Sequence, residues 1–469
     1  MTTLAEELAE QKRWPLAAAG GIGREFERLV RNEFVSPEKM REWADGKLLA
    51  LLRYATDNVP YYRDLFSRLG MAPEDAATPD KLAALPLLTK RDVYENEARL
   101  QPMTASRDDP VVGFTLTSGT TGRPTRILQN LSNIQMFPLL KQREFRWFRF
   151  DPGGKLAAIR LASQLPQREG KAVAEGESFE APSWQYMEGC FKTGPFVAFA
   201  VTNPVERQIE WLRREKPDYL MTYSETLEHL ALASGDAAPA PSLRALFAIS
   251  EQITPSMRRR IESRFGVPIR QNYGLNEIGL VAAKCEAGRY HVHSEHCVVE
   301  IVDDAAQPCA AGQTGRIVVT ALRNTAMPLI RYDTDDMAEV LAGPCPCGRT
   351  LPAFGEVAGR YSRIAYLPDG TLGLVGAVRG ALEDMPAALS RNLRQFQVHQ
   401  FKDHRFELRL AVAAPLPAAF GERIQTAWAT AAAGKSVPLT IVEVSSIPRG
   451  RGGKFQDFTS DFMPSPDSA

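Results

Sequence analysis

Between about residue 110 and residue 300, short apolar segments alternate with amphipathic ones, and this alternation constrains the fold more than any other feature. Four apolar or β-branched runs, VVGFTLTS, PFVAFAV, PDYLMTY and LRALFAI, have the length of buried strands. Helical patterns such as ERQIEWLRRE and PSMRRRIESRF alternate with them. Strands and helices that alternate in this way form βαβ units, so the sequence predicts an α/β fold with a largely parallel sheet.

The remaining segments predict a β-rich subdomain and a second, smaller domain. A chain of 469 residues is longer than one hydrophobic core usually serves, so we expect at least two domains. Consecutive strand patterns fill residues 297–343, and from Gly359 onwards strand patterns surround an Ala-rich helix. Before the sheet, Ser36 and Pro37 form a good helix start. We predict a large N-terminal domain over residues 1–358 and a small, mobile α+β domain over residues 359–469.

Composition excludes several classes of function. Lys plus Arg and Asp plus Glu number 56 each, so the chain has no overall basic charge for binding nucleic acid. The N-terminus lacks the apolar stretch of a secretory signal, and no segment approaches the ~20 consecutive apolar residues of a membrane span. We expect a soluble cytoplasmic protein, a monomer or a homodimer, whose partners are small molecules.

The strongest local signal is the segment TSGTTGRPT, which follows directly after the run VVGFTL. A strand that leads into a turn rich in Gly, Ser and Thr exposes backbone N–H groups and hydroxyls that can surround a phosphate. It is not a Walker A loop, because the terminal Gly-Lys-Ser/Thr is missing. An ordinary polar loop explains the same composition equally well. The candidate phosphate-binding residues are Thr117, Ser118, Gly119, Thr120, Thr121 and Gly122.

This segment resembles the phosphate loop of the adenylate-forming superfamily, which includes acyl-CoA synthetases, adenylation domains and luciferases. Four further segments follow in that superfamily's order: NYGLNE, RYDTDD, Gly359-Arg360 and Gly453-Lys454. They resemble, in turn, its Tyr-Gly-x-Thr-Glu motif, its Tyr-Arg-Thr-Gly-Asp motif, the Gly-Arg of its domain hinge and its C-terminal Gly-Lys. NVPYYRDLF, YGLNEIGLVAAKC, PLIRYDTDD and CPCGRTLP are similar to the phenylacetate–coenzyme A ligase branch, including its capsule-biosynthesis-like relatives.

The resemblance implies a role for each matching residue. Glu277 would hold Mg²⁺ on the ATP phosphates, because this ion prefers hard oxygen ligands. Tyr273 would stack near the adenine, and Asp336 would accept hydrogen bonds from both ribose hydroxyls. Lys454 would reach the α-phosphate and the oxygens of the acid when the C-terminal domain closes. The other implied nucleotide-binding residues are Ser250, Glu251, Asn272, Gly274, Asn276 and Arg360.

Three residues depart from the superfamily's pattern. Asn276 stands where the threonine of the first motif is expected, Asp333 replaces the usual arginine of the second, and Asp335 replaces its usual glycine. The extra carboxylates add negative charge close to where the phosphates would bind. Two classes therefore stay open: an active ligase, and a non-catalytic nucleotide-binding regulator that keeps the fold.

Three cysteines and a histidine form a second candidate site. Cys285, His291, Cys345 and Cys347 offer three thiolates and one imidazole, a suitable tetrahedral set for Zn²⁺. Their spacing is not that of a standard zinc finger, and buried cysteines beside a hydrogen-bonded histidine are the alternative. The resemblance favours a structural zinc ion. The spare candidates are His293, His296 and Cys297.

The acid pocket is the part of the site that the sequence constrains least. Trp184, Tyr186 and Tyr223 are candidate walls, which would suit an aromatic or medium-sized apolar acid. Packing in the core is the alternative for each of them. The resemblance implies activation of an organic acid by ATP as acyl-AMP, followed by transfer to coenzyme A. A carrier-protein thiol or an amine is the alternative acceptor.

Overall fold

The computed structural model describes most of the chain, and the described residues form two compact units. Unit 1 comprises Met1–Thr115 and Ile127–Ala358, and unit 2 comprises Leu116–Arg126 and Gly359–Ala469. The described residues are 1–17, 21–116, 125–166, 176–235, 237–249, 253, 255–360, 365–367, 370–372, 378, 381–382, 385–432, 435–447 and 458–461.

Helices make up most of the regular structure in the first hundred residues. They are α1 (Leu4–Gln11), α2 (Gly21–Asn32), α3 (Pro37–Asn58), α4 (Pro60–Leu69), α5 (Pro79–Leu82) and α6 (Lys90–Glu95), with a 3₁₀ helix at Pro73–Ala76. The hydroxyl of Ser36 accepts a hydrogen bond from the Lys39 N–H, and Pro37 is the first residue of α3. The predicted helix start is therefore confirmed.

A mixed sheet of twelve described strands dominates unit 1. A separate pair is formed by β1 (Val111–Leu116) and β2 (Arg126–Asn130). The strands of the large sheet are β3 (Leu156–Arg160), β4 (Ser178–Ala181), β5 (Phe196–Ala200), β6 (Tyr219–Tyr223), β7 (Ala245–Ile249), β8 (Ile269–Leu275), β9 (Gly279–Lys284), β10 (Tyr290–Val292), β11 (Cys297–Val302), β12 (Thr314–Ala321), β13 (Tyr332–Val340) and β14 (Ala353–Arg360).

The large sheet has a parallel part and an antiparallel part. Its strand order is β11-β12-β13-β14-β10-β9-β8-β7-β6-β3-β5-β4. Pairing is parallel from β5 through β3, β6 and β7 to β8. It is antiparallel between β8 and β9, between β9 and β10, and along β11, β12 and β13. The parallel part confirms the βαβ prediction. The consecutive strands predicted over residues 297–343 are β11, β12 and β13, which belong to the same large sheet.

Helices cover the parallel strands, which explains their uninterrupted apolar sequences. The helices are α7 (Leu131–Trp147), α8 (Val205–Glu215), α9 (Ser224–Ala233) and α10 (Pro255–Phe265), with a 3₁₀ helix at Ala162–Gln164. In β3, Leu156 and Ala158 belong to one hydrophobic cluster, whereas Ala157 and Ile159 belong to another. Successive side chains of a strand point to opposite faces, so both faces of β3 are buried.

Buried ion pairs join the N-terminal helices to α7. Arg143 Nη2 lies 2.8 Å from Glu295 Oε1, and Arg146 Nε lies 3.2 Å from Glu7 Oε2. Three carboxylates face three guanidinium groups, so the charges balance. We call this buried cluster the ionic core, and its members are Glu7, Glu33, Arg143, Arg146, Glu295 and Arg349.

Unit 2 contains a four-stranded sheet with the order β19-β18-β17-β20. Its elements are β15 (Ala365–Leu367), β16 (Gly370–Leu372), α11 (Ala387–Ser390), β17 (Leu393–Gln400), β18 (Phe406–Val412), α12 (Ala418–Ala431), β19 (Leu439–Val444) and β20 (Phe458–Ser460). Phe420, Ile424 and Trp428, four residues apart on α12, are buried in one cluster with strand residues. Strands around an Ala-rich helix, as predicted, give the α+β arrangement.

None of the described helices combines the length and the apolar character of a membrane span.

Candidate functional site

Several of the predicted nucleotide-binding residues lie outside the described residues. Of Arg360 the structure describes only the backbone, at the end of β14. The others outside the described ranges are Thr117, Ser118, Gly119, Thr120, Thr121, Gly122, Ser250, Glu251 and Lys454.

The described residues of the two central motifs contact each other through tyrosine–carboxylate pairs. The Tyr273 hydroxyl donates to Asp336 Oδ2 at 2.9 Å and lies 3.2 Å from Thr334 Oγ1. The Tyr332 hydroxyl donates to Glu277 Oε1 at 3.0 Å. Burial raises the pKa of both tyrosines, and the adjacent carboxylates raise it further, so both phenols stay protonated and can donate. The motifs over residues 272–277 and 331–336 therefore form one site.

A close backbone approach explains the glycine of the first motif. A Cβ atom at Gly274 would lie 2.8 Å from the Gly279 carbonyl oxygen, closer than a side chain tolerates. Gly279 itself has a φ of +96°, which favours glycine. The hairpin between β8 and β9 therefore requires both glycines, and it brings Glu277 to the end of the strand that carries Tyr273.

Two of the three departures in the motifs leave the local geometry intact. Arg316 Nη1 lies 2.7 Å from Asp333 Oδ2, so an ion pair compensates the extra charge at position 333. Asp335 has a φ of +67°, a conformation that glycine adopts easily and aspartate tolerates better than most residues. Its N–H donates to Asp333 Oδ1 at 2.9 Å. Asn276, the third departure, is exposed.

Asn272 belongs to a buried polar cluster that the sequence did not predict. Its Nδ2 donates to both oxygens of Glu144 at 3.0 Å, and Lys141 Nζ donates to Glu144 Oε2 at 2.7 Å. His293 Nε2 lies 3.4 Å from Glu144 Oε1. Burial opposes the charge of Glu144, but Lys141 and His293 outweigh it and lower the pKa of this carboxyl. Four charged residues within the aromatic-rich segment FPLLKQREFRWF, among them Lys141 and Glu144, were the signal that could have revealed this cluster.

The predicted metal-binding residues converge. The ligand atoms of Cys285, His291, Cys345 and Cys347 all lie within 4.8 Å of one another. The Cys285 and Cys345 sulfurs are 3.6 Å apart, close to the separation of about 3.8 Å that Zn–S bonds of about 2.3 Å give in a tetrahedron. His291 Nδ1 lies 2.9 Å from the Leu351 carbonyl oxygen, which directs Nε2 towards the sulfurs. The donor set and its geometry fit zinc.

The spare metal candidates have other partners. Burial lowers the pKa of His296 to about 4, and its Nε2 lies 2.9 Å from the Ile278 carbonyl oxygen. His293 contacts Glu144, as described above. The sulfur of Cys297 lies 3.8 Å from the Val281 carbonyl oxygen. All three are packing residues in this structure.

The structure separates the three residues predicted for the acid pocket. Trp184 is packed in the core with no exposed surface, and its role as a pocket wall stays a prediction. Its ring packs edge-on against Trp14 and Phe145, and its Nε1 donates to the Gly154 carbonyl oxygen. Tyr186 and Tyr223 are half-buried instead, and both hydroxyls are hydrogen-bonded near the carboxyl end of β3.

Comparison with known proteins agrees with these motifs. A family profile described as AMP-binding enzyme matches residues 183–326. A phenylacetate–coenzyme A ligase of Pseudomonas putida is 27% identical over 383 residues, which cover 79% of this chain and 81% of that protein. One from Thermus thermophilus is 26% identical over 336 residues, covering 70% and 72%.

A solved structure shows the same fold. The crystal structure of 2-hydroxyisobutyryl-CoA ligase in complex with 2-HIB-AMP superposes with a TM-score of 0.72 at 20% identity, covering 92% of this chain and 91% of that one. The mixed α/β architecture is therefore that of a ligase of known structure. The chain therefore contains an AMP-binding domain, has phenylacetate–coenzyme A ligases as relatives at 26–27% identity over 70–79% of its length, and shares the fold of a solved acyl-CoA ligase.

Proposed function

We propose that this chain is an AMP-forming acyl-CoA ligase that activates an organic acid in two steps. In the first, a carboxylate oxygen of the acid attacks the α-phosphorus of ATP, and pyrophosphate leaves. In the second, the thiol of coenzyme A attacks the acyl carbon and AMP leaves. The observation that carries the proposal is the hydrogen bond between Tyr273 and Asp336, which joins the residues assigned to adenine and to ribose.

The residues of the site suit the first step, which requires positioning and charge stabilisation rather than covalent chemistry. Tyr332 fixes one oxygen of the nearly buried Glu277, which leaves the other oxygen to bind Mg²⁺. The ion would neutralise charge on the phosphates of ATP. Asp336 would hold the ribose, and Lys454 would supply a positive charge at the α-phosphate and at the attacking oxygen.

Coenzyme A is the proposed acceptor because the similar ligases described above are named as coenzyme A ligases. An amine is the second candidate, since a fumarate–(S)-2,3-diaminopropanoate ligase of Enterobacter agglomerans is 26% identical over 306 residues, 64% of this chain. A regulator without chemistry is the third possibility. The ion pair between Arg316 and Asp333 argues against a regulator. Arg316 compensates the charge of Asp333, one of the extra carboxylates that suggested this alternative.

We also propose a structural zinc ion at Cys285, His291, Cys345 and Cys347. Four protein ligands leave no open coordination position for a substrate, so the ion would act on stability and not on the reaction. The first ligand follows β9, the second lies in β10, and the other two precede β14. The ion would therefore tie together three neighbouring strands of the antiparallel part of the sheet.

The test of the proposed function is exchange of labelled pyrophosphate into ATP. Exchange should require Mg²⁺ and a suitable acid, and the mass of the product formed with coenzyme A, with an amine or with neither identifies the acceptor. Nucleotide binding without exchange, across a panel of aromatic, aliphatic and dicarboxylic acids, would contradict the ligase and favour the regulator.

A further inference from the structure

Arg160 lies where the parallel strands of α/β proteins bind their ligands. It is the last residue of β3, which runs parallel to β6, and Tyr223 is the last residue of β6. The carboxyl ends of such strands border the crevice in which substrates bind. The side chain of Arg160 therefore starts at the edge of the sheet where the acid is expected.

The guanidinium group of Arg160 is held by neutral groups. Its Nη1 donates to the Tyr186 hydroxyl at 2.6 Å, and its Nη2 donates to Gln164 Oε1 at 3.1 Å. The Tyr223 hydroxyl donates to the same Gln164 oxygen at 2.5 Å. Two of the three residues predicted for the acid pocket thus belong to one network around Arg160. This network orients the guanidinium group without neutralising its charge.

One hydrogen-bond donor of Arg160 lacks an acceptor among the described residues. Its Nε is buried and has no hydrogen-bond partner among the described residues. An arginine stays protonated throughout the physiological range, so the group cannot lose its charge to avoid this cost. The side chain of Arg160 is half-buried, but a buried N–H group without an acceptor is unfavourable, and Nε with the remaining N–H groups of a guanidinium fits the two oxygens of a carboxylate.

Other arginines of unit 1 show that Arg160 is unusual within the described part of the chain. The four most deeply buried ones each pair with a carboxylate: Arg143, Arg146, Arg331 and Arg349. A buried Nε without a hydrogen-bond partner also occurs in Arg143 and Arg146, whose charge is paired, and in Arg270, the second residue of β8, at the amino end of the parallel strands. Arg160 alone combines a spare donor with a position at the ligand edge.

A second cation, Lys141, lies near Arg160, and it already pairs with a carboxylate. Lys141 Nζ pairs with Glu144 at 2.7 Å, and the Phe137 ring contacts both Lys141 and Tyr186. Burial lowers the pKa of Lys141, Glu144 opposes this shift, and the charge of Arg160 adds to the lowering. Of the two cations, Lys141 has a carboxylate partner, Glu144, whereas Arg160 has none among the described residues. An incoming anion would restore the balance.

We propose that Arg160 binds a second anionic group of the acid substrate, distinct from the carboxylate that is adenylated. The proposal rests on the proposed function, since it takes this edge of the sheet as the acid pocket. The substrate is then an acid with a distal carboxylate or a similar anion, held on one side by Phe137 and Tyr186. The sequence alone had predicted an aromatic or apolar acid.

The test compares acids that differ only in the second anion: hexanoate with adipate, and phenylacetate with 4-carboxyphenylacetate. Pyrophosphate exchange is measured for the wild type, for Arg160→Gln and for Arg213→Gln, which removes an exposed arginine on α8. The wild type should prefer the dianionic member of each pair. Arg160→Gln should lower kcat/KM for the dianions by about 100-fold, the scale of a lost buried charge pair, and leave the monoanions nearly unchanged.

The outcomes separate this inference from the proposed function. A wild type that prefers the monoanions, or an Arg160→Gln variant that loses both classes equally, overturns the role of Arg160 while the ligase stands. Exchange that fails with every acid overturns the ligase. In that case calorimetric titration of adipate and 4-carboxyphenylacetate decides: weaker binding to Arg160→Gln than to Arg213→Gln supports the anion site, and equal or absent binding overturns it.

Discussion

A single hydroxyl links the two motifs on the proposed metal side of the site. The Tyr332 hydroxyl holds one oxygen of Glu277 at 3.0 Å, and both side chains are almost completely buried. We expect Tyr332→Phe to raise the Mg²⁺ concentration for half-maximal pyrophosphate exchange about 10-fold, because a group that orients a metal ligand contributes on this scale. The measurement is exchange against Mg²⁺ concentration at saturating acid.

Tyr290→Phe is the matched control for this variant. Tyr290 is equally buried but stacks on Phe354, with ring centroids 5.5 Å apart, and lies outside both motifs. Its loss should leave the Mg²⁺ dependence unchanged. If Tyr332→Phe also responds to Mg²⁺ like the wild type, Glu277 does not depend on Tyr332 for its position.

Trp184 and Asp335 show how far a local sequence determines the role of a residue. An aromatic-rich stretch does not reveal whether Trp184 lines a pocket, because the rings that bury it include Trp14 from the N-terminal segment. Asp335 seemed to break its motif because it replaces a glycine. Its φ of +67° keeps the backbone conformation that glycine would supply. Backbone tolerance of this kind is not visible in a motif comparison.

At the scale of elements, the ionic core attaches α1 and α2 to α7. Glu33 Oε2 lies 2.9 Å from Trp147 Nε1 and 3.3 Å from Arg349 Nε. Glu33→Gln would leave three buried guanidinium groups opposite two carboxylates. We expect the free energy of unfolding to fall by about 3–5 kcal/mol, as for other buried ion pairs that lose one partner. Urea unfolding followed by circular dichroism measures the change.

Glu27→Gln supplies the comparison on α2 itself. Glu27 and Arg31 form an exposed pair at 2.6 Å, and such pairs contribute only about 0.5 kcal/mol. If Glu33→Gln and Glu27→Gln lower the free energy of unfolding by similar amounts, burial does not increase the contribution of the ionic core to stability.

The four proposed zinc ligands come from different elements, in segments around β9, β10 and β14. Purified protein should contain about one equivalent of zinc, and Cys345→Ser should lose most of it, because three ligands hold zinc more weakly than four. Metal analysis after exhaustive dialysis is the measurement. Cys309→Ser should keep its metal, since Cys309 is not part of the cluster. Full metal content in Cys345→Ser would exclude this site.

The elements themselves could largely be predicted from the sequence, whereas their polar contacts could not. The runs FVAFA and ALFAI are buried strands because their uninterrupted apolar sequences suit a sheet that is covered on both faces. α7 is different. Its arginines Arg143 and Arg146 are buried against Glu7, Glu33 and Glu295, which reach them from distant segments. Hydrophobic periodicity carries no information about such long-range partners.

At the scale of the whole molecule, the two units carry different parts of the proposed chemistry. Unit 1 holds the described motif residues Tyr273, Glu277 and Asp336, whereas Lys454 belongs to unit 2 and lies outside the described residues. We propose that unit 2 rotates between the two half-reactions, so that Lys454 takes part in the first and withdraws in the second. The two half-reactions should then respond differently to loss of this lysine.

Lys454→Ala tests whether the two half-reactions depend differently on this lysine. Adenylation, measured as pyrophosphate exchange, should fall by about 100- to 1,000-fold, because a charge aimed at the transition state is lost. Thioester formation from a supplied acyl-adenylate and coenzyme A should continue almost unchanged, since the α-phosphate is then no longer attacked. Lys402→Ala, which removes an exposed lysine from the same unit, should affect neither step. Equal loss of both half-reactions in Lys454→Ala would show that the lysine serves the fold or both steps, and that unit 2 does not exchange catalytic groups between them.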